Sequence, residues 1–148
     1  MRPPTESRGS AGFTLLELML VVSVIGILAN IAIPSLLAAL TNADAAAILG
    51  DADAIFKAAN RHRIDNGDYP SSATWRTVPA SLEGLLENVP FERGDVWYRW
   101  YASPSWHGLL IVARRDPAPL AAVDAQWSGT SIRAGNLVLL YEVHHARG

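Results

Sequence analysis

One carboxylate stands inside a long apolar run. Glu17 lies in Phe13-Thr14-Leu15-Leu16-Glu17-Leu18-Met19-Leu20-Val21-Val22, and the run continues with little polar relief to Leu40. A carboxylate near a bilayer core costs roughly 2.5–3.5 kcal/mol on insertion scales, so its presence there asks for a partner charge. The other residues able to do chemistry are scattered. His62 and His107 have no carboxylate or serine at suggestive spacing, so they form no catalytic set. His144 and His145 are adjacent, and neighbours on a strand point to opposite faces, which argues against a shared metal. Trp97-Tyr98-Arg99-Trp100-Tyr101 interleaves rings with a cation, a pattern that could stack on bases or sugars. Its plainer reading is a strand with one face against a helix. The remaining basic residues do not cluster with it, and Arg114-Arg115 reads as a small solvated pair.

These residues must be carried by a small chain. Its 148 residues support one compact domain plus an anchor. The net charge of −2 and the single lysine, Lys57, give no electrostatic case for nucleic acid, and none is expected as a partner. With no cysteine there is neither a disulfide framework nor a thiolate site. The first twelve residues are polar and carry Arg2 and Arg8, a placement that keeps that end cytoplasmic. A secretory signal peptide fits this start, but Glu17 interrupts its apolar region and the apolar span is too long. Leu18–Leu40 alone is long enough to cross a bilayer as a helix. A plain single-pass anchor fits that length and leaves Glu17 and the Gly12-Phe13 start unexplained.

The string Gly12-Phe13-Thr14-Leu15-Leu16-Glu17 followed by a long apolar helix closely resembles the processing site of type IV prepilins and the related pseudopilins. The resemblance implies that a prepilin peptidase cuts between Gly12 and Phe13 and N-methylates Phe13. Glycine before the cut suits a close backbone approach. It further implies that Glu17 neutralises the terminal amine of a neighbouring subunit during filament assembly. Pairing makes two charges tolerable in lipid that are costly alone. Gly26, Asn30 and Pro34 mark the least stable part of the helix. Proline removes the bond to the Asn30 carbonyl, and glycine costs about 1 kcal/mol against alanine. In the family this region bends and can lose helicity in the filament. The plainer reading is a kinked membrane helix with no such role.

From Leu36 alanine dominates, and Asp44, Asp51, Asp53 and Lys57 break the apolar pattern. Ile48, Leu49, Ala52, Ile55, Phe56 and Ala59 form one apolar stripe at helical spacing, the face a globular head would cover. Asp65-Asn66-Gly67-Asp68-Tyr69-Pro70 predicts the helix end, and this string looks like the same junction in major pseudopilins and many pilins. Ser71 to Ala80 reads as a loop over the sheet, and Ser81 as the cap of a short helix over 82–88. Val96–Ala102, Leu109–Ala113 and Leu137–Val143 read as strands. Thr130–Ala134 joins them as a fourth through the Gly135-Asn136 turn. Arg114–Gly129 reads as a long irregular connection.

The fold expected is α+β of the pilin type, a long kinked N-terminal helix packed against an antiparallel sheet of three to four strands. The divisions are a leader over 1–12, a transmembrane and assembly segment over 13–40, and the amphipathic half-helix plus head over 41–148. The resemblance implies a structural subunit and not an enzyme, without cofactor or bound metal. Its partners are prepilin peptidase, membrane lipid, further copies in a helical filament, and the inner-membrane platform that assembles a pilus. It would reside in the inner membrane with its N-terminus cytoplasmic, then in a surface pilus or a periplasmic pseudopilus. A pseudopilin of type II secretion is the first alternative. It is favoured by the missing cysteines and the 65–70 junction, and opposed by the absence of the glycine- and aspartate-rich calcium loop of major pseudopilins, although Asp116 and Asp124 could serve calcium. A binding module for DNA or glycan through the Trp-rich strand is the alternative from another class.

Overall fold

The computed structural model describes residues 13–86 and 89–143. Gly12 with the rest of the leader, the end of the 82–88 helix, and the His144-His145 pair lie outside the described residues. The chain divides into two compact units, one ending at Ala38 and one starting at Ala39.

Helix α1, Leu15–Asn66, is 52 residues long with Pro34 inside it. Thr14 starts it: the side-chain oxygen accepts the Glu17 backbone N–H at 3.2 Å, and its carbonyl accepts from Leu18 N–H. Gly67 ends it at φ +94°, where a left-handed residue costs glycine nothing, and its N–H returns to the Arg63 carbonyl at 2.8 Å.

The second unit buries one stripe of this helix, Ala45, Ile48, Asp51, Ala52, Ile55, Phe56, Ala58 and Ala59. The sheet is antiparallel, in order β1-β2-β3-β5-β4, with β1 at Glu92–Arg93, β2 at Val96–Ala102, β3 at Trp106–Ala113, β4 at Thr130–Ala134 and β5 at Leu137–Val143. Its inner face presents Val96, Tyr98 and Trp100 from β2, Leu109, Ile111 and Ala113 from β3, and Val138 and Leu140 from β5, all buried with the helix stripe in one core. Phe56 meets Trp100 edge-on at 5.8 Å between ring centres, an arrangement aromatic pairs favour. The outward edge of β2 is covered by residues 72–76, whose N–H groups at Ala73 and Arg76 donate to the carbonyls of Trp100 and Tyr98. That cover blunts an exposed strand edge.

The fold class stands, with differences of detail. The described residues form five strands, because Gly94 at φ +57° lets Glu92–Arg93 fold back on Val96–Trp97 through a two-residue turn. The 114–129 connection is not irregular but holds helix α2, Ala118–Gln126. Prolines are tolerated in the first helical turn, where their missing N–H would be unpaired anyway. Asp116 accepts the Ala118 N–H at 2.8 Å, and Leu120 and Val123 bury one face three residues apart. In place of the expected helix from Leu82 there is a single 3-10 turn, Ala80–Leu82. Its N-cap is Pro79, with no side-chain cap bond, rather than Ser81. Strand β3 also begins earlier than Leu109, at Trp106.

Gly108 lies between Tyr101 on β2 and Tyr141 on β5. A Cβ added there would meet the Leu140 carbonyl oxygen at 2.5 Å. Gly108→Ala should therefore destabilise the head by about 1–3 kcal/mol, the usual cost of overpacking, read as a fall in the urea midpoint at constant slope.

Candidate functional site

The N-terminal segment is a continuous apolar surface. Phe13 is 80% exposed, and the large aliphatic side chains from Leu15 to Leu40 are exposed on every side of the helix. α1 is long and apolar enough over this part to cross a membrane. Within that surface the polar side chains are few and mostly satisfied locally. Ser23 returns its hydroxyl to the Met19 carbonyl at 2.8 Å, which removes one donor from an apolar setting. Thr14 caps the helix as described. Glu17 differs: it is exposed, and its carboxylate has no hydrogen bond or ion pair among the described residues. Gly26, Asn30 and Pro34 lie on the same stretch, all exposed and all within assigned helix.

Thr14-Leu15-Leu16-Glu17 has the spacing of a capping box, a signal legible in the sequence that the reading of Glu17 alone missed. Only the threonine half is formed. The carboxylate that could reach back to the Thr14 N–H is left available.

A second polar set lies inside the head. In the sequence Asp51 breaks the apolar pattern of the helix, yet it is buried. Arg93 donates to its two carboxylate oxygens at 2.7 and 2.8 Å, and the Tyr98 hydroxyl donates at 3.0 Å. The signal was present in the spacing, because Asp51 lies between Ile48, Ala52 and Ile55 on the buried stripe. Burial and the neighbouring Asp51 charge raise the Tyr98 phenol above its ordinary value. The hydrogen bond to Asp51 raises the Arg93 guanidinium.

The Trp-rich strand divides by alternation. Tyr98 and Trp100 are fully buried against the helix, and the Trp100 indole donates to the Pro70 carbonyl at 3.0 Å. Trp97, Arg99 and Tyr101 face outward. The cations beside these rings are engaged within the chain. Arg76 and Arg114 lie 5.1 and 4.6 Å from the Trp97 ring, Arg76 pairs with Glu92, and Arg99 donates to the Ala73 carbonyl.

His107 is buried, and the β3–β5 register places Glu142 opposite it, 3.2 Å from Nε2. The two are 35 residues apart, so sequence spacing gave no hint of the carboxylate. Tyr69 stacks on the His107 ring at 3.7 Å. Asp116 and Asp124 are occupied separately, by the Ala118 N–H and the Ser131 hydroxyl. Among the described residues no group of three His, Asp or Glu side chains converges on a point that could hold a metal.

A long helix whose apolar part, Leu15–Leu40, carries a single acid with no partner among the described residues, and whose second half packs on a small antiparallel sheet, fits a membrane-anchored subunit of pilin type. Residues 7–32 match the prokaryotic N-terminal methylation motif. The chain is 37% identical over 131 residues to the type II secretion system core protein G of Escherichia coli, covering 79% of this chain and 86% of that one. The corresponding protein of Klebsiella michiganensis is 38% identical over 115 residues, 68% and 79% of the two chains. The major component of the type IV wide pilus of Thermus thermophilus is 30% identical over 106 residues, 62% and 81%. No solved structure matches the chain. The chain belongs to the type IV pilin and type II secretion pseudopilin family.

The trio on Asp51 generates two expectations. Asp51→Ala strands the Arg93 cation and the Tyr98 hydroxyl, and should cost about 2–3 kcal/mol. That is less than a fully buried pair costs, because the Arg93 side chain is 44% exposed. Because the Tyr98 phenol is raised in the folded state, its contribution is complete below its unfolded value of about 10 and is lost as pH rises beyond it. Urea midpoints measured between about pH 9 and 11 should therefore fall, and fall less steeply in Tyr98→Phe.

Proposed function

We propose that this chain is a structural filament subunit of the type II secretion pseudopilus. It is cut between Gly12 and Phe13 by prepilin peptidase and N-methylated at Phe13. Residues 13–40 hold it in the inner membrane with the N-terminus cytoplasmic until it is drawn into a helical homopolymer by an assembly platform. It performs no catalysis. The observation that carries this reading is Glu17, an exposed carboxylate with no partner among the described residues, on a helix surface otherwise apolar. Such a group is costly in lipid and in a helix bundle unless an opposite charge meets it, and a processed neighbour supplies one at its new amino terminus. Gly26, Asn30 and Pro34 supply the weak stretch at which the helix adapts as it enters the filament. The names of the Escherichia coli and Klebsiella relatives support secretion, and that of the Thermus relative supports a surface pilus as the second reading.

Intact mass and N-terminal sequencing of the protein from membranes and from sheared cells test this. The expected chain begins at N-methyl-Phe13 and is confined to the cell envelope. Abundance in the sheared fraction would favour the surface pilus, and an unprocessed Met1 start beside an active prepilin peptidase would refute both. Glu17→Gln should be cut normally yet lower filament yield at least about tenfold, the factor corresponding to 1.4 kcal/mol of lost pairing.

A further inference from the structure

Among the described residues no helix covers the outer face of the sheet. Near its β4 margin, Ser105, Trp106, Ile132, Leu139 and Tyr141 line an open, mainly apolar cleft of about 320 Å³. Ile132 at its rim is 55% exposed. β4 is also the last strand of the sheet, so one of its edges has no strand beside it among the described residues. Arg133 follows Ile132 on that strand and is exposed. Among the described residues it is the one lysine or arginine with no hydrogen bond, ion pair or ring partner. The others are held by Asp53, Asp65, Tyr69, Glu92, Asp51, Ala73, Trp97 and Asp95.

A surface of this kind asks for an apolar side chain beside an unpaired acid, and the chain carries one elsewhere. Leu85 is 48% exposed on the turn after the 3-10 segment, and Glu83, two residues earlier, is exposed with no partner among the described residues. Ile64, a further large aliphatic exposed outside the cleft, has its neighbouring Asp65 already paired with Arg61 at 2.8 Å.

We infer that heads in the filament make a head-to-tail contact in which Leu85 of one copy enters the Trp106–Ile132–Leu139–Tyr141 cleft of the next, with Glu83 meeting Arg133 over the free edge of β4. The inference rests on the filament reading above. Two different patches on one molecule generate an open helical array, the symmetry a filament needs, whereas a self-complementary patch would close into a dimer. Alternation sends Ile132 and Arg133 to opposite faces of β4, so the partner must straddle the edge, and this also covers its unpaired backbone groups.

The chain has no cysteine, so engineered thiols report this contact without background. A disulfide forms only where the Cα atoms come within roughly 4.4–6.8 Å. In the full-length chain expressed with its assembly machinery, the double variant Leu85→Cys, Ile132→Cys should give a ladder of covalent multimers on oxidation. Each single variant should give none, since neither position meets its own copy. Arg133→Glu should lower filament yield, and Glu83→Arg added to it should restore that yield, which reads the same contact without thiols. Filaments of the double-cysteine chain that stay monomeric on oxidation overturn this contact and leave the filament reading standing, as does failure of the charge reversal to rescue. Absence of filaments from the unaltered chain overturns both.

Discussion

Helix α1 has to satisfy two environments with one backbone, and the other features follow from that demand. From Leu15 to Leu40 it exposes apolar side chains all round, which only lipid or other helices can cover. From Ala45 to Ala59 it buries a single stripe, and the sheet exists to cover it. A small head of this size buries little surface on its own, so the helix is a large share of its core. That explains why the largest buried rings, Trp100 and Tyr98, point at the helix and not at another sheet.

Apolar packing alone does not specify which way the helix lies on the sheet. Small residues such as Ala45, Ala52 and Ala59 allow close approach but offer little register. The Asp51–Arg93–Tyr98 set supplies it, because a buried carboxylate with a bidentate arginine tolerates little displacement. Buried polar groups of this kind are weak sources of stability and better understood as constraints on geometry. Here the constraint ties the helix to β1 and β2. At the far end of the helix, Trp100 bonding to Pro70 and Tyr69 stacked on His107 tie the 65–70 junction to β2 and β3.

The two faces of the sheet divide the labour. The inner face is consumed by the helix. On the outer face the arginines beside Trp97 and Tyr101 are spent on intramolecular partners, which leaves less for a stacked base or sugar than the bare sequence suggested. What stays available lies toward β4, with Ile132 exposed on the outer face and, at the same margin, Arg133 and a strand edge without a partner among the described residues.

The sequence by itself determined the N-terminal helix, its stop at Gly67, the four longer strands and the prepilin-type resemblance. Each of these rests on local information: an apolar run, a glycine and proline pair, period-two alternation, and a short contiguous motif. It also contained, unread, the capping box at Thr14–Glu17 and the place of Asp51 on the buried stripe. Helix α2 was hidden because Pro117 and Pro119 read as breakers, and only their position in a first turn makes them compatible with helix. The tertiary structure decided what depends on residues distant in the chain. Arg93 reaches Asp51 across 42 positions and Glu142 reaches His107 across 35. Strand register sets such pairs, and no spacing along a single sequence encodes it.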